Sequence, residues 1–193
     1  AIVLNKVADE YPNMIVNDRL YVKAPWPIPD NPFPGDYKTT EAKVPSVGFD
    51  DYDDWEACIS MNSSWGYKWF DDNWKSVEEM IQILVEITSI GGNLLLNVGP
   101  NGDGLMPDGS VVRLRKIGEW MDKNSESIYA TSPGPFFKLP WGRCTQKDVD
   151  GNTKLYLHVF NPPADGILHK IVQVDDDCDF GLEIGCLFEN EKE

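Results

Sequence analysis

The residues with the clearest capacity for chemistry fall in three stretches. Asn17-Asp18-Arg19 sets a fixed cation beside a carboxylate, and Gly35-Asp36-Tyr37-Lys38-Thr39-Thr40-Glu41 ends on a second carboxylate. Four tryptophans, Trp55, Trp65, Trp69 and Trp74, follow between positions 55 and 74. An arginine, nearby carboxylates and several indoles suit a carbohydrate: sugar hydroxyls bond to charged groups, and the apolar C–H faces of the ring lie on aromatic side chains. Each group also has a plainer reading. The tryptophans could be core or lie buried under a loop, Glu41 could be a solvated loop carboxylate, and Arg19 could hold a structural salt bridge.

Other chemistries have little to build on. His158 and His169 are the only histidines, too few for a His-rich metal site and a poor basis for a Ser-His-Asp constellation. The cysteines, Cys58, Cys144, Cys178 and Cys186, form no CxxC pair, so no zinc site is expected. Cys178 and Cys186 are close enough in sequence to be bridged, or they remain free thiols. Asp175, Asp177 and Asp179 open like a calcium loop, but Phe180 stands where such a loop needs glycine and Cys186 where it needs glutamate. Gly99, Gly102 and Gly104 lack the phosphate-binding spacing, no lysine follows, and Asp103 would repel phosphate. No metal or cofactor is expected.

The elements that must position these residues alternate. Asn13 to Val16 reads as a short buried strand, and Glu56 to Met61 as a second. Between them, Pro25, Pro27, Pro29, Pro32 and Pro34 exclude a helix and impose a long loop. Ser76-Val77-Glu78-Glu79 is a capping box: the hydroxyl serves a free N–H of the first turn and the glutamate reaches back. Met80, Ile81, Leu84, Ile87 and Thr88 continue at helical spacing until Gly91-Gly92 ends the helix. Leu94-Leu95-Leu96-Asn97-Val98 is an unalternating apolar run, which predicts a parallel strand covered on both faces. A second helix is predicted from about Ser110 to Asn124, with Val111, Leu114, Ile117 and Met121 on one face.

Strand, loop, strand, helix, strand, loop, helix implies α/β architecture, with chemistry at the C-terminal strand ends. There lie Asn17-Asp18-Arg19, the stretch after Met61, and Asn97 to Gly104. Beyond Thr131 the pattern changes. Arg143 to Val149, a turn at Asp150-Gly151-Asn152, and Lys154 to Phe160 predict a hairpin; His169 to Val174 could add a strand. The expected division is residues 1–131, α/β, and 132–193, β-rich with an acidic tail.

The chain has 193 residues and a net charge of −15, from 17 basic and 32 acidic residues. That balance opposes nonspecific binding to nucleic acid or to an anionic membrane. Hydrophobic residues make up 41%, ordinary globular usage, and no apolar run is long enough to span a membrane. A complete (β/α)-barrel needs about 250 residues, so any barrel here is partial.

NDR, then GDYKTTE, then WEACISMNSSWGY, then GGNLLLNVGP, then Gly118-Glu119-Trp120 and Ile128-Tyr129-Ala130-Thr131 stand in an order and spacing that resemble the α-L-fucosidases of glycoside hydrolase family 29. The similarity covers roughly residues 10 to 165. It implies an α/β fold made of the second half of a TIM-type (β/α)-barrel, followed by the beginning of an antiparallel β-sandwich. It also implies retaining hydrolysis of terminal α-L-fucose from fucosylated glycans, by one nucleophilic and one acid/base carboxyl group.

By the same resemblance, Glu41 is the general acid/base, although Thr40 stands where the family usually has proline. Arg19 contacts the fucose ring or the nucleophile carboxylate, and Trp65 packs on the C5 methyl of the sugar. Asp18 orients the loop. The family's nucleophilic aspartate, in an Asp-Gly setting, precedes NDR; nothing before Asn17 has that pattern, and Asp9 lies in a polar stretch. The nucleophile is therefore expected from an upstream half-barrel segment acting as partner, unless the chain is an inactive, sugar-binding remnant. Periplasmic, secreted or lysosomal location follows by resemblance alone. Composition by itself is equally served by an acidic α/β interaction module.

Overall fold

A computed structural model of the chain describes residues 9–20, 35–49, 54–136 and 139–167. Three parallel strands, β1 (Lys38–Glu41), β2 (Trp55–Ser60) and β3 (Gly92–Asn97), form one sheet in the order β1-β2-β3. Helix α1 (Val77–Thr88) makes the crossover from β2 to β3, and α2 (Asp108–Asn124) follows β3. Strands β4 (Ser132–Pro133), β5 (Gly142–Val149) and β6 (Asn152–Val159) make a second, antiparallel sheet. The architecture is thus α/β followed by antiparallel β.

Strand β2 shows why the first sheet has two unlike faces. Trp55, Ala57 and Ile59 alternate with Glu56, Cys58 and Ser60, and period two sends the apolar set to one side. There they are buried with Ile87 of α1, and Val44, Phe49, Ile83, Ile90 and Leu94 pack around them. The register Glu41↔Cys58↔Leu95 places those three side chains together on the opposite face. Leu95 is 48% exposed there, which corrects the expectation that β3 is covered on both faces. A helix can bury only the side it crosses, and no other described residue covers the second.

Ser76 caps α1 as predicted, its Oγ accepting from the Glu79 N–H at 3.0 Å. Hydrogen bonds from its own backbone N–H and from the Ser76 hydroxyl hold the neighbouring Glu78 carboxylate below the usual glutamate range. Ser76→Ala is expected to cost about 1 kcal/mol, read as a lower urea midpoint at unchanged slope. After the helix, Gly91 takes φ +80°, a left-handed value that side chains resist, and Gly92 already belongs to β3. Helix α2 begins two residues before the expected start, directly after Pro107.

Asn13 to Val16 falls short of a strand. The bridging residue is the next one: Asn17 pairs in parallel with Tyr37, with Asp36 N donating to Val16 O at 2.7 Å and Asp18 N to Tyr37 O at 3.1 Å. The hairpin forms where the pattern placed it, and Asp150 and Gly151 both take the positive φ of a tight two-residue turn. The proline-rich loop, most of Asp50 to Asp54, the strand expected at His169 to Val174, Cys178, Cys186 and the acidic tail lie outside the described residues.

One face of the hairpin rests on the α/β part. Arg143 Nη2 donates to Glu86 Oε1 of α1 at 2.6 Å, and Thr145 Oγ1 donates to Ser127 O at 2.8 Å. His158 Nε2 lies 3.1 Å from that hydroxyl, whose proton is committed, so the ring N–H donates. Burial lowers the His158 imidazole from 6.5 to about 4. The unfolded chain therefore binds a proton that the folded chain refuses between those values, and stability falls as pH drops through the window. The expected slope is up to about 1.4 kcal/mol per pH unit, read from urea unfolding between pH 7 and pH 4.5 and flattened in His158→Gln.

Candidate functional site

Arg19 and Glu41 meet at the C-terminal edge of the parallel sheet. Arg19 stands in a single turn of 3-10 helix, Asp18–Leu20, beside the bridge that joins Asn17 to Tyr37. Its Nη1 donates to Glu41 Oε2 at 2.9 Å, and its Nε donates to Thr39 Oγ1 at 2.6 Å. Thr39 in turn donates to Asp18 Oδ1 from its hydroxyl at 2.7 Å and from its backbone N–H at 3.0 Å. Asp18 thus ties its 3-10 turn to β1, and both these hydrogen bonds use one oxygen. Thr39 passes that order to the guanidinium, and no signal in the sequence singled it out.

The Arg19 and Glu41 side chains are 45% and 51% exposed. An ion pair so wet contributes little to folding, about 1 kcal/mol at most, so its meaning is positional. Cys58 shares their face. Burial raises its thiol above the usual range, the Arg19 cation opposes that shift, and Glu56 and Glu41 add to it. The alternation in Trp55–Ser60 was the available signal for Cys58, because it turns that residue toward the side carrying Glu41.

The tryptophans divide. Trp55 is core, 1% exposed behind β2, where the plainer reading holds. Trp65 stands on the loop after β2, 38% exposed, with its backbone carbonyl accepting from Asn97 Nδ2 at 2.7 Å. It therefore sits on the same sheet edge as Glu41, two strands along, with its indole making no hydrogen bond to the Arg19–Glu41 pair. Gly99 lets that loop settle on the end of β3: a Cβ there would lie 2.6 Å from Gly66 C and Tyr67 N. Close approach, rather than phosphate binding, accounts for this glycine. Trp74 lies against Gly109 and 5.2 Å from the Arg113 guanidinium, which also donates to the carbonyls of Lys75 and Gly109.

Among the described residues, no group of three or more His, Cys, Asp or Glu side chains is arranged to hold a metal ion, and no helix is long and apolar enough to cross a membrane. The edge offers a cation paired with a half-exposed carboxylate, a group able to give or take a proton, and on the loop after β2 an indole that is 38% exposed.

The family model described as Alpha-L-fucosidase matches residues 1–126. The chain belongs to the α-L-fucosidase family. It is 38% identical over 117 residues to an α-L-fucosidase of Dictyostelium discoideum, an alignment covering 59% of this chain and 25% of that protein. The α-L-fucosidase isoenzyme 1 of Paenibacillus thiaminolyticus superposes with a TM-score of 0.74 at 36% identity, over 84% of this chain and 38% of that one. A family 29 α-L-fucosidase of Bacteroides thetaiotaomicron, trapped as a covalent intermediate with 2-fluoro-fucosyl fluoride, superposes at 0.72 with 28% identity, over 85% of this chain and 39% of that one. This fucosidase-family chain therefore spans between a quarter and two fifths of the length of those relatives.

Proposed function

We infer that the chain supplies the acid/base side of a retaining α-L-fucosidase centre acting on fucosylated glycans. The observation that carries this is the 2.9 Å contact between Arg19 and Glu41, which joins two family motifs 22 residues apart at the strand ends where α/β enzymes do chemistry. Glu41 protonates the glycosidic oxygen as the aglycone leaves, then as a carboxylate takes the proton of the water that releases fucose. Arg19, paired with Glu41 here, contacts the fucose ring or the nucleophile carboxylate once the site is complete, and Trp65 meets the C5 methyl. The covalent intermediate trapped in the Bacteroides relative supports retention for this chain too.

The nucleophile comes from the part of the family's length that this chain does not span, acting as its partner. On this reading residues 1–131 are the second half of a (β/α)-barrel, and residues 132–193 begin the sandwich. The open face carrying Glu41, Cys58 and Leu95 is the inner wall of that barrel. A proton donor needs a carboxyl shielded from water, and the bound sugar with the missing wall would do the shielding. The enzyme is periplasmic, secreted or lysosomal on this reading. Its half-exposed carboxylate also favours a second reading, a sugar-binding remnant without turnover.

The test is hydrolysis of an aryl α-L-fucoside by the 193-residue chain, alone and mixed with the upstream portion of the family sequence. Turnover only in the mixture is expected. Fucose binding without turnover in any mixture leaves the remnant. Turnover by the chain alone would move the nucleophile to an in-chain carboxylate such as Asp18 and end this assignment.

A further inference from the structure

The Arg19–Glu41 pair is too wet to hold its own geometry. Both side chains are about half exposed, and long charged side chains keep their rotamer freedom unless a neighbour fixes them. Thr39 is placed to do so. It stands on β1 two positions before Glu41, so the strand turns both side chains to one face, and it is half-buried where Glu41 is open.

A threonine hydroxyl has one proton and two lone pairs, and a guanidinium carries only donors. The hydroxyl must therefore accept from Arg19 and give its proton elsewhere. It accepts the Arg19 Nε–H at 2.6 Å and donates to Asp18 Oδ1 at 2.7 Å. With Nε held, the rigid fork sets the direction of Nη1, which donates to Glu41 Oε2 at 2.9 Å. Among the described residues, Glu41 Oε1 accepts no hydrogen bond. An oxygen that faces only donors stays an acceptor whether or not its carboxyl group is protonated, so the proton that Glu41 exchanges travels on Oε1.

We propose that Thr39 is a positioning residue of the site: through Arg19 it commits Glu41 Oε2 to the guanidinium and leaves Oε1 to exchange the proton. The inference rests on the fucosidase reading and adds a residue to it. In the first step the Oε1–H bond breaks, the glycosidic oxygen takes the proton, and the leaving group keeps the electron pair of the bond cleaved at C1. In the second step a proton of the attacking water returns to Oε1. The backbone offers a clean way to isolate this role. The Thr39 N–H donates to the same Asp18 oxygen at 3.0 Å whatever the side chain, so Thr39→Val keeps the tie between the 3-10 turn and β1 and removes the hydroxyl alone.

The experiment compares Thr39→Val and Thr39→Ser with a control, Thr40→Val, whose hydroxyl donates instead to the Lys43 carbonyl at 3.0 Å. In the 193-residue chain alone, NMR with isotope-labelled arginine and glutamate reads the Arg19 Nε–H and the Glu41 carboxyl carbon. Both resonances are expected to move in Thr39→Val, with faster exchange of the Nε–H with water, and to stay near the parent in Thr39→Ser and Thr40→Val. In the chain mixed with the upstream portion of the family sequence, Thr39→Val is expected to lower kcat for an alkyl α-L-fucoside about tenfold at nearly constant KM, and Thr39→Ser to restore it. Resonances indifferent to Thr39→Val, or moved as far by Thr40→Val, overturn the proposal. So does turnover that Thr39→Val leaves intact, or that Thr39→Ser loses equally. A mixture inactive even with the parent chain removes the fucosidase reading alone, and the resonances still decide whether Thr39 orients the pair.

Discussion

Glu41→Gln is expected to lower kcat/KM of the assembled fucosidase toward an alkyl α-L-fucoside by about 10²–10⁴-fold. The amide has the shape of the carboxyl group but neither donates a catalytic proton nor accepts one. An alkoxide leaving group needs that proton, whereas an acidic phenol departs with little help, so a nitrophenyl fucoside should lose far less in the first step. Once the phenol has left, the glycosyl-enzyme waits for water without a base, and added azide, which needs none, should restore turnover. Unfolding separates this chemistry from folding. The Arg19–Glu41 pair is about half exposed on both sides, so the variant should unfold within about 1 kcal/mol of the parent. Equal losses for alkyl and nitrophenyl substrates would remove the acid/base role from Glu41 and leave it as a holder of Arg19.

Trp55→Ala is expected to destabilise the chain by about 3–5 kcal/mol, read from the urea midpoint. Trp55 is 1% exposed, meets Phe49 edge to face at 5.8 Å and donates from Nε1 to the Ile90 carbonyl at 3.4 Å. It also sits in register between Lys38 of β1 and Gly92 of β3, so its loss loosens the sheet that presents Glu41. Trp65→Ala, ten positions along, should cost clearly less than Trp55→Ala, because Trp65 is 38% exposed and Trp55 1%. A Trp65 variant as damaging as the Trp55 variant would return Trp65 to the core and take the apolar wall out of the proposed site.

How much of this was legible beforehand depended on how local the signal was. The Ser76 cap, the apolar spacing of α1 and the hairpin with its Asp150-Gly151 turn are each written within a dozen residues, so short-range physics decides them. The order of the short motifs from NDR to Ile128-Tyr129-Ala130-Thr131 likewise carried the family. Leu94-Leu95-Leu96 misled, because an apolar run says that a strand prefers cover without saying that both covers are present. The four tryptophans looked alike in sequence, and only packing separated Trp55, under α1, from Trp65 and Trp69 in the open.

The sequence alone determined the helices, the α/β character, the change at the β-rich segment and the membership of Arg19 and Glu41 in one family pattern. Only the tertiary structure decided that Thr39 links Asp18 to Arg19, that Glu41, Cys58 and Leu95 share an open face, and that Asn97 of β3 holds the Trp65 carbonyl. Those facts depend on strand register and on loops meeting across the sheet edge. Contacts between residues 17 to 37 positions apart are set by the packing of whole elements, for which no local pattern of residues carries the information.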